Sequence, residues 1–189
     1  MRRAATALAL LVLVAGCGRE ELPVLGTLPP FTLTERTGSP VGSDALAGHV
    51  WIADFVFTRC PGVCPVLSQR MADLRPKLPK GDDGVRLVSI TVDPVHDTPE
   101  VLQPYAERFG AGREWLFLTG SRDGVGRLLR DGFKVGFADD GPAEAPITHS
   151  ERFVLVDRAL QIRGYYVGTD PADLARLVAD AIALTRRPG

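Results

Sequence analysis

Apolar positions along the chain fall into blocks whose spacing changes from one block to the next. Over residues 50–57 an almost continuous aromatic and β-branched run is interrupted only by Asp54, the pattern of a strand covered on both faces. Beyond Pro65, Leu67, Met71, Leu74 and Leu78 recur at steps of four, three and four, which predicts a helix with one buried face. A second apolar run at 85–92 predicts another strand. Thr98 followed by Pro99 predicts a helix start, and Gly110 its close. Residues 115–118 predict a third strand, and Ser121 is placed to cap a shorter helix ending near Phe133. The runs 153–156 and 162–167 read as a hairpin, and Asp170-Pro171 opens a last amphipathic helix carrying Leu174, Leu177, Val178, Ala181 and Ile182. Strands alternating with helices and closing in a hairpin predict an α/β fold with a central mixed sheet flanked by helices.

The flanks carry different patterns. Residues 18–30 have no apolar period and contain Pro23, Pro29 and Pro30, which reads as a tether. Residues 31–34 alternate like a short strand, and 37–48 are rich in turn residues. The polar stretch 136–146 predicts a surface loop leading directly into His149. At the N-terminus, Arg2 and Arg3 precede an apolar run at 4–15 that is too short for a comfortable membrane span. That run ends in Val14-Ala15-Gly16-Cys17, which resembles the bacterial lipoprotein box, where the cysteine is lipidated and becomes the mature N-terminus. The expected organisation is a leader over 1–16, a lipid-anchored tether over 17–30 and one domain over 31–186. A plain secretory peptide or an uncleaved signal anchor would also export the domain.

Composition sharpens this only in places. A chain of 189 residues, 45% of them hydrophobic, holds one globular core. With 22 Lys and Arg against 23 Asp and Glu, no global field attracts nucleic acid, and none is expected as a partner. Once the leader is removed, only Cys60 and Cys64 remain apart from Cys17. A disulfide between them would close too small a loop to restrain the unfolded chain much, so function explains the pair better than stapling.

The pair sits between a strand end and a helix start, where unpaired helix N–H groups favour thiolate, the form that attacks disulfides and ligates soft metals. Arg59 reads either as an aid to that or as a solvated surface cation. In Cys60-Pro61-Gly62-Val63-Cys64 three residues separate the cysteines, one more than in thiol–disulfide exchange motifs. The wider loop lets both sulfurs face one metal and still close a reversible disulfide. Two thiolates suit Cu(I), and one added imidazole gives a set that also accepts Cu(II). Zinc would usually want a fourth ligand, and iron–sulfur clusters four. Among the three histidines, His149 before the strand at 153 is the first candidate for the nitrogen ligand. His96, in the loop after the second strand, is the runner-up, and His49 reads as a surface residue at the far end of the first central strand.

The segments Phe57-Thr58-Arg59-Cys60-Pro61-Gly62-Val63-Cys64-Pro65, Thr91-Val92-Asp93-Pro94, Asp97-Thr98-Pro99-Glu100 and His149-Ser150 together resemble the Sco/SenC family. The resemblance runs from about Leu28 to about Ala183. It implies a thioredoxin-like fold, an envelope location facing the periplasm or extracytoplasmic space, and copper held by Cys60, Cys64 and His149. Asp93 matches an acidic position close to the metal loop, with a purely loop-structural role as the alternative. Two departures stand out: His96 replaces a more usual basic or other polar residue, which leaves an auxiliary metal contact open, and Phe57 replaces a tyrosine.

Function follows from the same resemblance. A metallochaperone would pass Cu(I) or Cu(II) to the binuclear copper centre of cytochrome c oxidase. Its implied partners are the copper-centre subunit, an envelope copper donor, a thiol reductant and the membrane through Cys17. The alternative is a thiol–disulfide oxidoreductase with Cys60 and Cys64 as its redox-active pair, which reduces the cysteines of that centre or of other envelope proteins and needs no histidine. A peroxidase reading draws on Thr58 alone and lacks the surrounding motif.

Overall fold

The structure, a computed structural model, describes residues 21–138 and 148–187, without the side chains of Phe137, Ala138, Thr148 and His149. The expected leader, Cys17 and most of the 136–146 loop lie outside the described residues.

The strands are β1 (Gly26–Thr27), β2 (Thr32–Glu35), β3 (Pro40–Gly42), β4 (Val50–Val56), β5 (Val85–Thr91), β6 (Trp115–Thr119), β7 (Phe137–Ala138), β8 (Thr148–His149), β9 (Arg152–Val156) and β10 (Gln161–Val167). Among the described residues four α-helices join them, besides short 3-10 turns at Ser43–Ala45 and Arg75–Lys77: α1 (Val63–Leu74), α2 (Pro99–Arg108), α3 (Arg122–Arg127), which runs on as a π turn over Leu128–Gly132, and α4 (Pro171–Thr185). An eight-stranded sheet has the order β1-β10-β9-β4-β5-β6-β2-β3, with β7 and β8 paired apart from it.

β4 and β5 run parallel from Val50↔Val85 to Val56↔Thr91, and β6 continues the parallel set from Leu87↔Trp115. β9 pairs antiparallel with β4, Trp51 opposite Val156, and β10 folds back on β9. The parallel strands are joined by α1 and α2, as parallel pairing requires a crossover. Alternation along β4 splits the core. Trp51, Ala53, Phe55 and Phe57 face one layer with Val125, Leu129 and Phe133, while Val50 and Ile52 face the layer built with α1, α2 and α4. Phe133 packs edge-on against Trp51 and Phe55, with ring centroids 5.9 and 5.1 Å away.

The helix signals act largely as expected. Ser121 accepts the Gly124 N–H at 3.1 Å, Asp170 accepts from Ala172 and Asp173, and Gly110, at φ +64°, ends α2 in the left-handed region. Thr98 occupies the N-cap of α2 with Pro99 in the first turn. At the other end of the chain, packing begins earlier than Phe31. Gly26–Thr27 pairs with β10, Leu28 is buried, and Leu22 packs against the core, so the nearer part of the expected tether is fastened to the domain.

The topology gives the sheet two unlike edges. The carboxyl edge carries the ends of β4, β5 and β6 and the start of β9; the amino edge carries the starts of the parallel strands and the β9–β10 turn.

Candidate metal centre

β4 ends at Val56, and residues 57–62 leave the sheet at its carboxyl edge before α1 begins. The Cys60 N–H returns to the Phe57 carbonyl at 3.2 Å, a tight turn that sets the Cys60 sulfur over the first turn of α1. There it accepts the Cys64 N–H at 3.4 Å. This is the expected use of an unpaired helix-terminal amide. Neither cysteine is in a disulfide; Cys60 is half-buried and Cys64 fully buried.

The two thiols are not equivalent. Burial holds the Cys64 thiol well above the ordinary cysteine range, with the hydrogen-bonding Cys60 sulfur and the field of Asp54 pushing the same way. Burial thus works against the thiolate form at Cys64. Cys64 is held as a neutral thiol until something displaces its proton. In the reduced protein a limiting dose of iodoacetamide should modify Cys60 faster than Cys64 by roughly 100-fold or more, as read by peptide mass spectrometry. Equal labelling would contradict this packing.

The loop is tied down from β5 and the segment after it. Asp97, fully buried, accepts the Thr58 N–H at 3.1 Å, the Thr58 hydroxyl at 2.6 Å and the Thr91 hydroxyl at 2.6 Å. Burial raises the Asp97 pKa, and the hydrogen bonds from Thr58 and Thr91 act against that rise. Asp93 takes the Arg59 guanidinium at 2.6 Å, and its own N–H is held by Thr91 at 2.9 Å. Asp93 thus reaches the cysteine loop through Arg59. Arg59 is half-exposed but paired, not a free surface cation.

Under the loop lies Asp54, on the α1 and α2 face of β4 and fully buried. Its Oδ1 accepts the Ser89 hydroxyl at 2.5 Å, and Ser89 in turn accepts the Trp115 indole N–H at 2.9 Å. Its Oδ2 has no hydrogen-bond partner among the described residues. Desolvation pushes the carboxyl up to about 7, against the pull of the Ser89 hydrogen bond. In the sequence Asp54 was visible only as an interruption in an apolar run, and that interruption was the available signal.

The histidines separate clearly. His49 lies at the amino edge, its Nδ1 3.1 Å from the Asp82 carbonyl, so it is remote from the cysteines as expected. His96 is exposed, with its N–H on the Asp93 carbonyl. Among the described side chains no set of three His, Cys, Asp or Glu groups is arranged to hold a metal, so His96 does not complete one with the cysteines. The backbone of His149 lies in β8, opposite Phe137, three residues before β9 begins. Because β9 runs antiparallel beside β4, its start belongs to the same sheet edge as the end of β4. The topology thus brings the 149 backbone to the cysteine edge, while the imidazole is outside the described residues.

The family model for SCO1/SenC matches residues 22–183. The chain belongs to that family. It is 30% identical to the SCO1 protein homolog of Bacillus subtilis over 93% of this chain and 92% of that one. A SCO1/SenC family lipoprotein from Bacillus anthracis superposes with a TM-score of 0.76 at 30% identity, covering 85% of this chain and 96% of that structure. BsSco, a member of the Sco family of cytochrome c oxidase assembly proteins in which a disulfide switch has been identified, gives a TM-score of 0.77 at 29% identity over 89% and 99% of the two chains. Arabidopsis thaliana ScoI with copper bound gives 0.72 at 25% identity over 85% and 99%. The fold is thioredoxin-like, as the sequence resemblance implied.

Proposed function

We propose that this SCO1/SenC protein is a copper metallochaperone that assists assembly of the binuclear copper centre of cytochrome c oxidase, with Cys60, Cys64 and His149 as its ligands. The observation that carries the reading is the pair of unbridged, hydrogen-bonded thiols on a braced loop at the sheet edge to which the 149 backbone also comes. Copper-bound and oxidase-assembly relatives across most of the chain support it.

Copper is the cargo. Two soft sulfurs and one imidazole suit Cu(I) and also accommodate Cu(II). Cys60, the more exposed sulfur, is the point where an incoming donor exchanges its ion. Cys64 ligates only after losing its proton, so uptake releases a proton and weakens as pH falls. The ties from Asp97 to Thr58 and from Asp93 to Arg59 hold the loop between loading and transfer, which lowers the ordering cost of each exchange. Asp93 acts here through Arg59. The partners are the copper-centre subunit of the oxidase, an envelope copper donor and a thiol reductant. The domain works outside the cytoplasm, anchored by lipid at Cys17; among the described residues no helix is long and apolar enough to cross a membrane.

Titration of the reduced protein with Cu(I) and Cu(II) tests this. One copper per chain is expected. His149→Ala should lower Cu(II) affinity by more than the roughly 10–100-fold that loss of an outer-shell partner costs, and Cys64→Ser should weaken Cu(I) binding at least as much.

The asymmetry of the thiols favours a second reading, a thiol–disulfide reductase. The Cys60 thiolate attacks a partner disulfide, forming a mixed disulfide and releasing one partner thiolate. The Cys64 thiolate then attacks the Cys60 sulfur, so the second partner thiolate leaves and the Cys60–Cys64 pair ends oxidised. If His149→Ala binds both ions like the wild type while Cys64→Ser loses only reductase turnover, this reading replaces the first.

A further inference from the structure

The amino edge of the sheet, opposite the cysteine loop, holds a cavity of about 430 Å³. Its apolar lining includes Val50, Ala159 and Leu184, and its charged lining is Arg158, Arg163 and Arg187 together with Glu21 and Asp157. Arg158 spans the carbonyls at the end of α4, with Nη1 2.9 Å from the Leu184 oxygen. Arg163 is only 7% exposed; it pairs with Asp157 at 3.0 Å and donates to the Leu22 carbonyl, but its Nε–H has no acceptor among the described residues. Glu21, 75% exposed, bridges Arg163 at 3.4 Å and Arg187 at 3.1 Å. So exposed a carboxylate is held weakly and gives way readily to another anion.

We propose that this cavity binds the phosphate of an anionic phospholipid headgroup, in the membrane that carries the Cys17 anchor, and so keeps Cys60 and Cys64 on the side of the domain away from the bilayer. The orientation rests on the lipid-anchor reading. Chain length supplies the occupant. Arg163 clasps the Leu22 carbonyl, so the spacer between lipid and domain shrinks to the step from Cys17 to Glu21, which spans roughly 14 Å at full extension. The face bearing Glu21 must therefore lie against the headgroups. An apolar lining beside guanidinium groups suits an amphiphile, and guanidinium is the side chain best matched to phosphate.

Charge beside the cavity agrees. Exposed Arg186 adjoins the cavity and adds a second cation beside Arg187. An anionic bilayer attracts that pair. The length of β4, about 20 Å, separates this edge from the cysteine loop.

The test uses the full chain expressed in a bacterial host, purified as the mature protein, and bound to vesicles of phosphatidylcholine alone or mixed with phosphatidylglycerol. Hydrogen exchange on the mixed vesicles should slow at Gly48, Ala159 and Arg187 and stay unchanged over residues 59–62. Arg186→Glu with Arg187→Glu should abolish the difference and weaken vesicle binding by about fivefold for each positive charge removed; both residues follow α4, so folding is not at stake. Identical exchange on the two vesicle types, slowing over 59–62 instead, or the same slowing with inorganic phosphate and no vesicles would overturn the proposal. The mass of the N-terminal peptide reports separately on the anchor. If Cys17 carries no lipid, the anchor reading fails and the orientation with it. Sedimentation of that unlipidated protein with the mixed vesicles then decides the cavity alone: binding weakened by the charge reversal supports it, and no binding overturns it.

Discussion

Between pH 5 and pH 8 the domain should lose stability, and Asp54→Asn should remove most of that loss. Asp54 is an acid whose folded-state pKa, about 7, lies above its ordinary value of 3.8. The folded protein therefore holds this proton more tightly than the unfolded chain does. Over the window between those two values the folded state binds more protons, and stability declines as pH rises. Below the lower value the group has no pH dependence; above the upper one the full cost of a buried, half-satisfied carboxylate is present, roughly 4 kcal/mol at most. Asparagine is the uncharged isostere, so the variant should be more stable than the wild type at pH 8, by a margin that shrinks to less than half at pH 5. The raised pKa of Asp97 adds a slope of the same sign that persists in the variant. Urea unfolding at the two pH values measures all of this. Parallel profiles for the two proteins would show that Asp54 carries no such charge.

The second large effect concerns the tie beneath the cysteine loop. Asp97→Ala strands three donors, the Thr58 N–H and the Thr58 and Thr91 hydroxyls, of which Thr91 is fully buried. Stability should fall by roughly 2–4 kcal/mol, since hydrogen bonds to a charged acceptor are worth more than neutral ones and orphaned donors cost extra. Copper affinity of the fraction that remains folded should fall by roughly 10–100-fold, because the loop bearing Cys60 loses its anchor while both sulfurs remain. Asp97→Asn, which keeps an acceptor, should fall between. Unfolding curves and a Cu(I) competition titration separate the two effects. A destabilised variant with unchanged copper affinity would make Asp97 a core residue without influence on the site.

The two effects arise from residues that were hard to see in advance. Asp97 stood in the chain only as part of a motif, and Asp54 as a flaw in a strand pattern. By contrast, the helix face of Leu67, Met71 and Leu74, the caps at Ser121 and Asp170, and the position of Cys60 between β4 and α1 were legible, because each depends on spacing within a single element. The helix α1 begins earlier than the expected start after Pro65, so Cys64 lies in its first turn, and Leu78 falls beyond its end. The early start of packing at Leu22 was not legible, since Gly26–Thr27 has no strand signature of its own and is recruited by the open edge of β10.

The sequence by itself determined the order and kind of the main elements, the spacing of the thiols and the likeness to SCO1/SenC proteins. Tertiary structure alone decided that Cys64 is buried and protonated while Cys60 is reachable, that Asp97 closes on Thr58 across 39 residues of chain, and that Arg163 grips the segment leading to the tether. Periodicity is local and survives in one dimension. The state of a thiol or a carboxylate depends on which strands lie side by side and on how much water they exclude, and those are set only when the sheet closes around them.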